Sequence, residues 1–323
     1  MTDYIERNGS TLEFSSGSSW VILNPIEQRI KEKIELVGKP LKEWDISINY
    51  GIKTGCNEAF IIDKSKRDEL VAKDPKSAEI IRPILRGRDI KRYGYEFADL
   101  YLLFIPWHFP YHLDTTISGV SKKAEEAFKK EYPAIYEHLT VYKKILSARN
   151  TAETGIRYEW YALQRWGANY WDDFSKHKII YPDIMRMPKN ITLLDSYPYF
   201  YFDKDNFYAE ATNFIMTGKY LELIFSFLVS DIGFYVFTKF YSGPQFDETG
   251  FRYKKEYMNN LHIPIINQQN NKLLKLCFSK FYPNSNKIDR TCEDIFIQTI
   301  GLDKEELEVI KNYKKSLLFK EKA

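Results

Sequence analysis

The run from Tyr220 to Phe237, Tyr-Leu-Glu-Leu-Ile-Phe-Ser-Phe-Leu-Val-Ser-Asp-Ile-Gly-Phe-Tyr-Val-Phe, limits what this chain can become more than any other stretch. It is the most membrane-like part of the sequence, yet it carries Glu222 and Asp231 and falls short of the about 20 apolar residues that a helical span needs. The rest of the protein must therefore cover it, which requires a core of real size. The 323 residues, 44% of them hydrophobic, supply one as a single large domain or two medium ones. Thr217 to about Ser230 reads as a buried helix. Gly233 to Tyr241 reads as either more helix or a strand, because its periodicity fits both.

Around this run the sequence alternates short strands and helices. After a Ser-rich lead ending near Ser19, Asn24-Pro25-Ile26-Glu27 supplies an N-cap, a Pro at the first helical position and an acid in the first turn. Ile26, Ile30, Ile34 and Val37 then mark one face of a helix that Gly38-Lys39-Pro40 ends. Ile46 to Asp63 reads as two strand-like runs around a Gly51–Gly55 turn, with Lys53 and Thr54 at its tip. Tyr101 to Ile105 reads as a buried strand, and Ser121–Tyr132 and Pro133–Leu146 as helices. The polar and aromatic segment from Ser147 to Gly167 fits an exposed functional loop or a buried aromatic connector equally well. Lys178–Tyr181 and Tyr197–Phe202 read as strands of a hairpin with Arg186 and Lys189 near its tip. From Asn267 on the pattern is helical: to about Phe281, then Ile288 to Ile300, then a last helix capped by Asp303 and Glu306. The expected class is α+β: a mixed sheet with inserted helices (46–266), preceded by a lead and linker helix (1–45) and followed by a small helical module (267–323).

Arg82, Arg86, Arg88, Lys91 and Arg92 crowd around one acid, Asp89, in the stretch from Ile80 to Tyr93. Their setting of Pro and Gly turns suits contact with something anionic; the alternative is a solvated turn that pairs with neighbouring acids. A formal charge of only +3 means that any nucleic-acid surface is local. Cys56, Cys277 and Cys292 are odd in number and far apart, which argues against a disulfide framework and a cysteine zinc site and for a reducing, cytoplasmic setting. The N-terminus lacks the order of a signal peptide.

Catalytic signatures are missing. No Gly-rich strand–turn–helix offers a nucleotide or S-adenosylmethionine site, and Pro182-Asp183 is not followed by an apolar strand carrying Asp/Glu-x-Lys. His108 and His112 have the spacing of a helical zinc pair, but Pro110 lies between them and no third ligand is evident, so no metal site is expected.

Five pieces in order, Tyr50-Gly-Ile-Lys-Thr-Gly-Cys-Asn-Glu-Ala-Phe-Ile-Ile-Asp63, Ile81-Arg-Pro-Ile-Leu-Arg-Gly-Arg-Asp-Ile90, Lys178-Ile-Ile-Tyr-Pro182, Phe251-Arg-Tyr-Lys-Lys-Glu-Tyr257 with His262-Ile-Pro-Ile265, and Ile300-Gly-Leu-Asp-Lys-Glu-Glu306, resemble the TaqI-like specificity domain of type IIG restriction–modification enzymes. The resemblance spans about Trp20 to Ile310. Leu228-Val-Ser-Asp-Ile232 departs from it where the family commonly has Leu-Asn-Ser-Lys. It implies a target-recognition domain that binds double-stranded DNA beside an adenine-N6 methyltransferase and a nuclease domain, both absent from this chain. S-adenosylmethionine and Mg would belong to those domains, so no cofactor and no catalytic residue are expected here, and no membrane. On this reading Arg149, Arg157, Arg165 and Arg186 are the candidates for base contacts, since Arg on a long loop can pair bidentately with guanine, and Lys53, Arg88 and Lys189 for phosphates. Two rivals remain at this stage: a protein-interaction scaffold that does not bind DNA, and an enzyme whose centre is unrecognised.

Overall fold

In the computed structural model, which describes residues 23–247, 249–281 and 290–319, the long apolar run is buried in two pieces of an α+β fold. Helix Leu221–Leu228 and helix Asp231–Val236, the latter continued by a π-helical turn through Tyr241, meet at 74°. Among the described residues no single helix is long and apolar enough to cross a membrane. The bend has a local cause. Ser230 Oγ accepts the Gly233 N–H at 2.9 Å and donates to the Phe227 carbonyl at 2.7 Å. Gly233 comes so near that carbonyl that a Cβ would lie 1.9 Å from it. The second half of the run is thus helix, and the expected helix start at Thr217 is corrected: Asn213–Gly218 is a strand.

A four-stranded antiparallel sheet, in the order Tyr201–Asp203, Lys178–Pro182, Asn213–Gly218, Ile46–Tyr50, separates two cores. Ile48, Ile179, Tyr181, Phe214 and Met216 face the core of the bent helices, whereas Ile180, Tyr201 and Ile215 face the other. A strand covered on both sides is continuously apolar, which explains why Lys178–Tyr181 shows no alternation. Lys178, fully buried, pairs with the buried Asp203 opposite it at 2.5 Å. The second core is closed by a mixed sheet ordered Tyr208–Ala209, Ile81–Leu85, Leu100–Leu103, Ile61–Asp63, and by Phe128, Ile135 and Leu139 of helices Lys122–Glu131 and Pro133–Val141.

Three expectations change. Ile46–Tyr50 and Ile61–Asp63 do not form a hairpin; they enter different sheets, and Thr54 between them is buried. Tyr201–Asp203 does pair with Lys178–Pro182, but Tyr197–Phe200 is not a strand. The connection instead holds a strand, Ile184–Arg186, paired with Gly250–Arg252, and a 3-10 turn, Ile191–Ser196. The segment 147–167 is the buried connector: Tyr158, Tyr161 and Leu163 are inaccessible, with Tyr161 stacked on Phe128 and Tyr158 on Trp107, both at 4.7 Å.

Helix Pro25–Val37 has the expected capping box, and so does helix Lys304–Phe319, where Asp303 and Glu306 exchange hydrogen bonds of 2.9 and 3.0 Å. Arg29–Glu305 (2.8 Å) and Lys33–Glu306 (2.7 Å) tie the two helices together. Leu274, Phe296 and Ile310 of the three C-terminal helices, Gln268–Phe281, Arg290–Ile300 and Lys304–Phe319, share the core of the bent helices with Ile30 and Ile34. The Ser-rich lead and the expected helix start at Ile288 lie outside the described residues.

Candidate nucleic-acid interface

Several strand ends converge on one margin of the dividing sheet. Asn213 Nδ2 and the Glu210 N–H both donate to the Leu85 carbonyl at 3.0 Å. The Gly51 N–H donates to Asn213 O and the Asp183 N–H to Thr212 O, each at 2.9 Å. Gly51 passes so close to the chain at Glu210 that a Cβ would lie 2.1 Å from its carbonyl oxygen, so glycine is needed for this crossing. The turns beyond these strand ends carry the exposed charges.

Lys53 and Arg165 face each other there, joined by backbone hydrogen bonds of 3.0 and 2.9 Å in opposite directions. Gly87, beside the exposed Arg88, lies against Asn213, Pro182 and Thr212. The Asp183 carbonyl accepts the Tyr253 N–H at 2.7 Å and so links this margin to the ribbon of Ile184–Arg186 and Gly250–Arg252. Burial raises the Asp183 carboxyl above the usual carboxylate range, against the pull of Lys254 and Arg252. Tyr50 is exposed beside these charges and packs on Phe214, centroids 4.6 Å apart.

The basic stretch that stands out in the sequence is largely occupied with holding its own turn. Buried Asp89 accepts the Arg86 N–H, Nε and NH2 at 2.8, 2.9 and 2.9 Å. Arg92 donates to the carbonyls of Asp195 and Val229, Arg82 to that of Ile81, and Lys91 to that of Arg88. Arg88 is the one of the five whose side chain has no partner among the described residues.

Arg149, expected at a base edge, is turned inward: its guanidinium donates to the carbonyls of Thr54, Trp160 and Ala162, and desolvation pushes its pKa down to about 10. The reason is the buried connector, whose Trp160 and Ala162 carbonyls find their donor in this guanidinium, while Thr54 O also accepts the Gln164 N–H at 3.3 Å. Arg157 is 60% exposed, pairs with Glu153 at 3.0 Å and lies over the Trp107 ring, outside the margin's chain of contacts. Arg186 is exposed and pairs with Asp247 at 2.8 Å; it lies on a strand and not at a hairpin tip. Lys189 is exposed just beyond that strand. The structure thus places Lys53, Arg165 and Arg88 at one margin, Arg186 on the ribbon attached to it and Arg149 buried beneath the Lys53–Thr54 turn, with Arg157 paired to Glu153 over Trp107.

Phe246, Asp247 and Arg252 gather around Arg186 on this ribbon and escape a reading of the sequence alone. The alternation Phe251 in, Arg252 out, Tyr253 in was the available signal, and it is only three residues long. His108 Nδ1 and backbone N–H meet buried Glu159 at 3.0 and 2.8 Å, while His112 stacks on Phe109. Among the described residues no group of three or more His, Cys, Asp or Glu is placed to hold a metal ion.

No protein-family model and no curated protein matches the chain. Solved structures do. The type IIL restriction–modification enzyme MmeI in complex with DNA matches with a TM-score of 0.54 at 14% identity, over 86% of this chain and 36% of that one. The type IIG restriction endonuclease BpuSI matches with a TM-score of 0.51 at 14% identity, over 91% of this chain and 32% of that one. The chain therefore spans about a third of the length of each of these proteins, and what it shares with that third is a fold.

Proposed function

We propose that this chain recognises double-stranded DNA as the target-recognition part of a restriction–modification enzyme of the type IIG kind, close to the TaqI-like specificity domains. The observation that carries the reading is the fold shared over most of the chain with part of MmeI, a protein whose structure holds DNA. The cationic margin and the ribbon attached to it give it a surface: Lys53, Arg88 and Lys189 for phosphates, Arg165 and Arg186 for base edges, with Arg157 as an outlying base contact. Adenine-N6 methylation and cleavage would be the work of methyltransferase and nuclease domains outside this chain, which would bring S-adenosylmethionine and Mg, in the cytoplasm.

The test is binding of the chain to duplex DNA across a salt series, with and without an adenine-methyltransferase segment supplied in trans. Affinity that falls steeply with salt and sharpens with the added segment is the expected result. Binding that is absent or independent of salt in both settings would overturn it in favour of a protein-interaction scaffold.

A further inference from the structure

The ribbon of Ile184–Arg186 and Gly250–Arg252 ends in a turn that fixes a side-chain arrangement. The Phe246 N–H donates to Gly250 O at 2.9 Å, the Gly250 N–H to Asp247 O at 3.3 Å, and the Met187 N–H to Thr249 O at 2.9 Å. A Cβ at Gly250 would lie 2.8 Å from Asp247 Oδ1 and would have to push that carboxylate aside. This turn holds Phe246 at the surface, 44% exposed, with the guanidinium carbons of Arg186 and Arg252 5.1 and 4.7 Å from its ring centre. Asp247 Oδ2 accepts Arg186 Nε at 2.8 Å.

A guanidinium packed on a ring and held at Nε keeps one edge open, that of its two terminal nitrogens. Arg186 makes no other side-chain hydrogen bond among the described residues, and its side chain is 55% exposed. The open edge offers two parallel N–H groups, which match the O6 and N7 acceptors of guanine in the major groove. The same fork also fits a phosphate, but Asp247 beside it repels an approaching anion and leaves a neutral base edge unopposed.

We propose that Arg186 reads a guanine of duplex DNA, with Asp247 and Phe246 as positioning residues that fix its rotamer before binding. The inference rests on the reading of the chain as a DNA-recognition domain. Arg157 too has a ring and an acid, Trp107 and Glu153, but Glu153 takes its terminal NH1, whereas Asp247 takes Arg186 at Nε and leaves both terminal nitrogens open.

The test is selection of binding sites from a randomised duplex library by the full chain, its Arg186→Ala, Arg186→Lys and Asp247→Asn variants, and Arg88→Ala for comparison. The unmodified chain is expected to select a G·C pair at one position. Arg186→Ala should lose that preference by about 10- to 100-fold and keep those at other positions, since one bidentate pair carries discrimination of that order. Arg186→Lys should keep overall affinity and lose the preference, Asp247→Asn should weaken it, and Arg88→Ala should weaken all sequences alike. Arg186→Ala that weakens every duplex equally, or leaves the preference intact, overturns the inference and leaves DNA binding standing. Salt-sensitive binding with no preference in the unmodified chain does the same. No binding by the unmodified chain overturns the DNA reading and this inference together. Unchanged thermal melting of the variants confirms that they fold, and Arg186→Lys carries the test if the alanine variant does not.

Discussion

Burial divides the charged side chains of this protein into two kinds, and Arg149 and Arg157 show the division within nine positions. Arg149 bonds the Trp160 and Ala162 carbonyls of the connector and the Thr54 carbonyl, which also accepts the Gln164 N–H, so Arg149→Ala leaves the first two facing a cavity without this donor. That change is expected to cost about 3 kcal/mol in urea unfolding, whereas Arg157→Ala, removing an exposed pair, should cost about 0.5 kcal/mol or less. The histidines give a pH dependence of defined sign. Burial lowers the pKa of His112, whose Nδ1 has no hydrogen-bond partner among the described residues, and of His138, whose Nε2 is 3.0 Å from the Ala59 carbonyl. A folded pKa below the unfolded value of about 6.5 means that the unfolded chain binds more protons in between. Stability is therefore full above about pH 6.5 and falls as the pH drops from there toward the folded values. Thermal melts at pH 7.5 and 5.0 should show the loss, and His112→Phe, which keeps a flat ring between Phe109 and Trp166, should make it smaller. At this scale the sequence reveals which residues carry charge but not which way they point. Of the basic stretch that suited an anion, Arg86 instead closes on Asp89 three residues away, the alternative of pairing with a neighbouring acid.

Elements defined by neighbours in sequence were the legible ones. The boxes of Asn24 with Glu27 and of Asp303 with Glu306 need only three residues, and both form as read. Sheet partners depend on residues far along the chain: Phe214 pairs with Tyr50 on one side and with Tyr181 on the other, and no local pattern encodes that choice. The second strand of the Ile46–Asp63 segment went to another sheet for this reason. The break in the apolar run lies between these cases, since Ser230 and Gly233 are both visible in the sequence and only their spacing to Phe227 gives them meaning. A methyl group at Gly233 must displace the Phe227 carbonyl and open the 74° bend, and each of the two helices is packed on both cores' dividing sheet or on the C-terminal helices. Gly233→Ala should therefore cost about 3 kcal/mol by thermal or denaturant unfolding. Gly94→Ala, where a Cβ would meet nothing within 4 Å, should stay within about 0.5 kcal/mol. Equal effects at the two sites would mean that the bend is not set by this contact.

Across the whole molecule charge is nearly balanced, 47 Lys and Arg against 44 Asp and Glu, so a DNA surface has to arise from placement. The dividing sheet supplies it by having two ends. Tyr50, Asn213 and Pro182 end their strands at one margin, where Lys53 and Arg88 project from the turns; Ile46 and Gly218 meet at the other, where Lys219 pairs with Asp45 at 2.7 Å. If DNA lies along the first margin, each cation that neutralises a phosphate contributes about 0.9 to the magnitude of the slope of log K against log salt. Lys53→Ala, Arg88→Ala and Lys189→Ala should each reduce that slope by about 0.9 and weaken all duplex sequences alike. Lys219→Ala removes the same formal charge at the opposite end of the sheet and should leave the slope unchanged. The four titrations separate two mechanisms that net charge confuses. Equal slopes for Lys53→Ala and Lys219→Ala would mean that DNA responds to the overall charge of the protein, whereas a slope that falls at the first margin alone would place the phosphate backbone on the turns that end the dividing sheet.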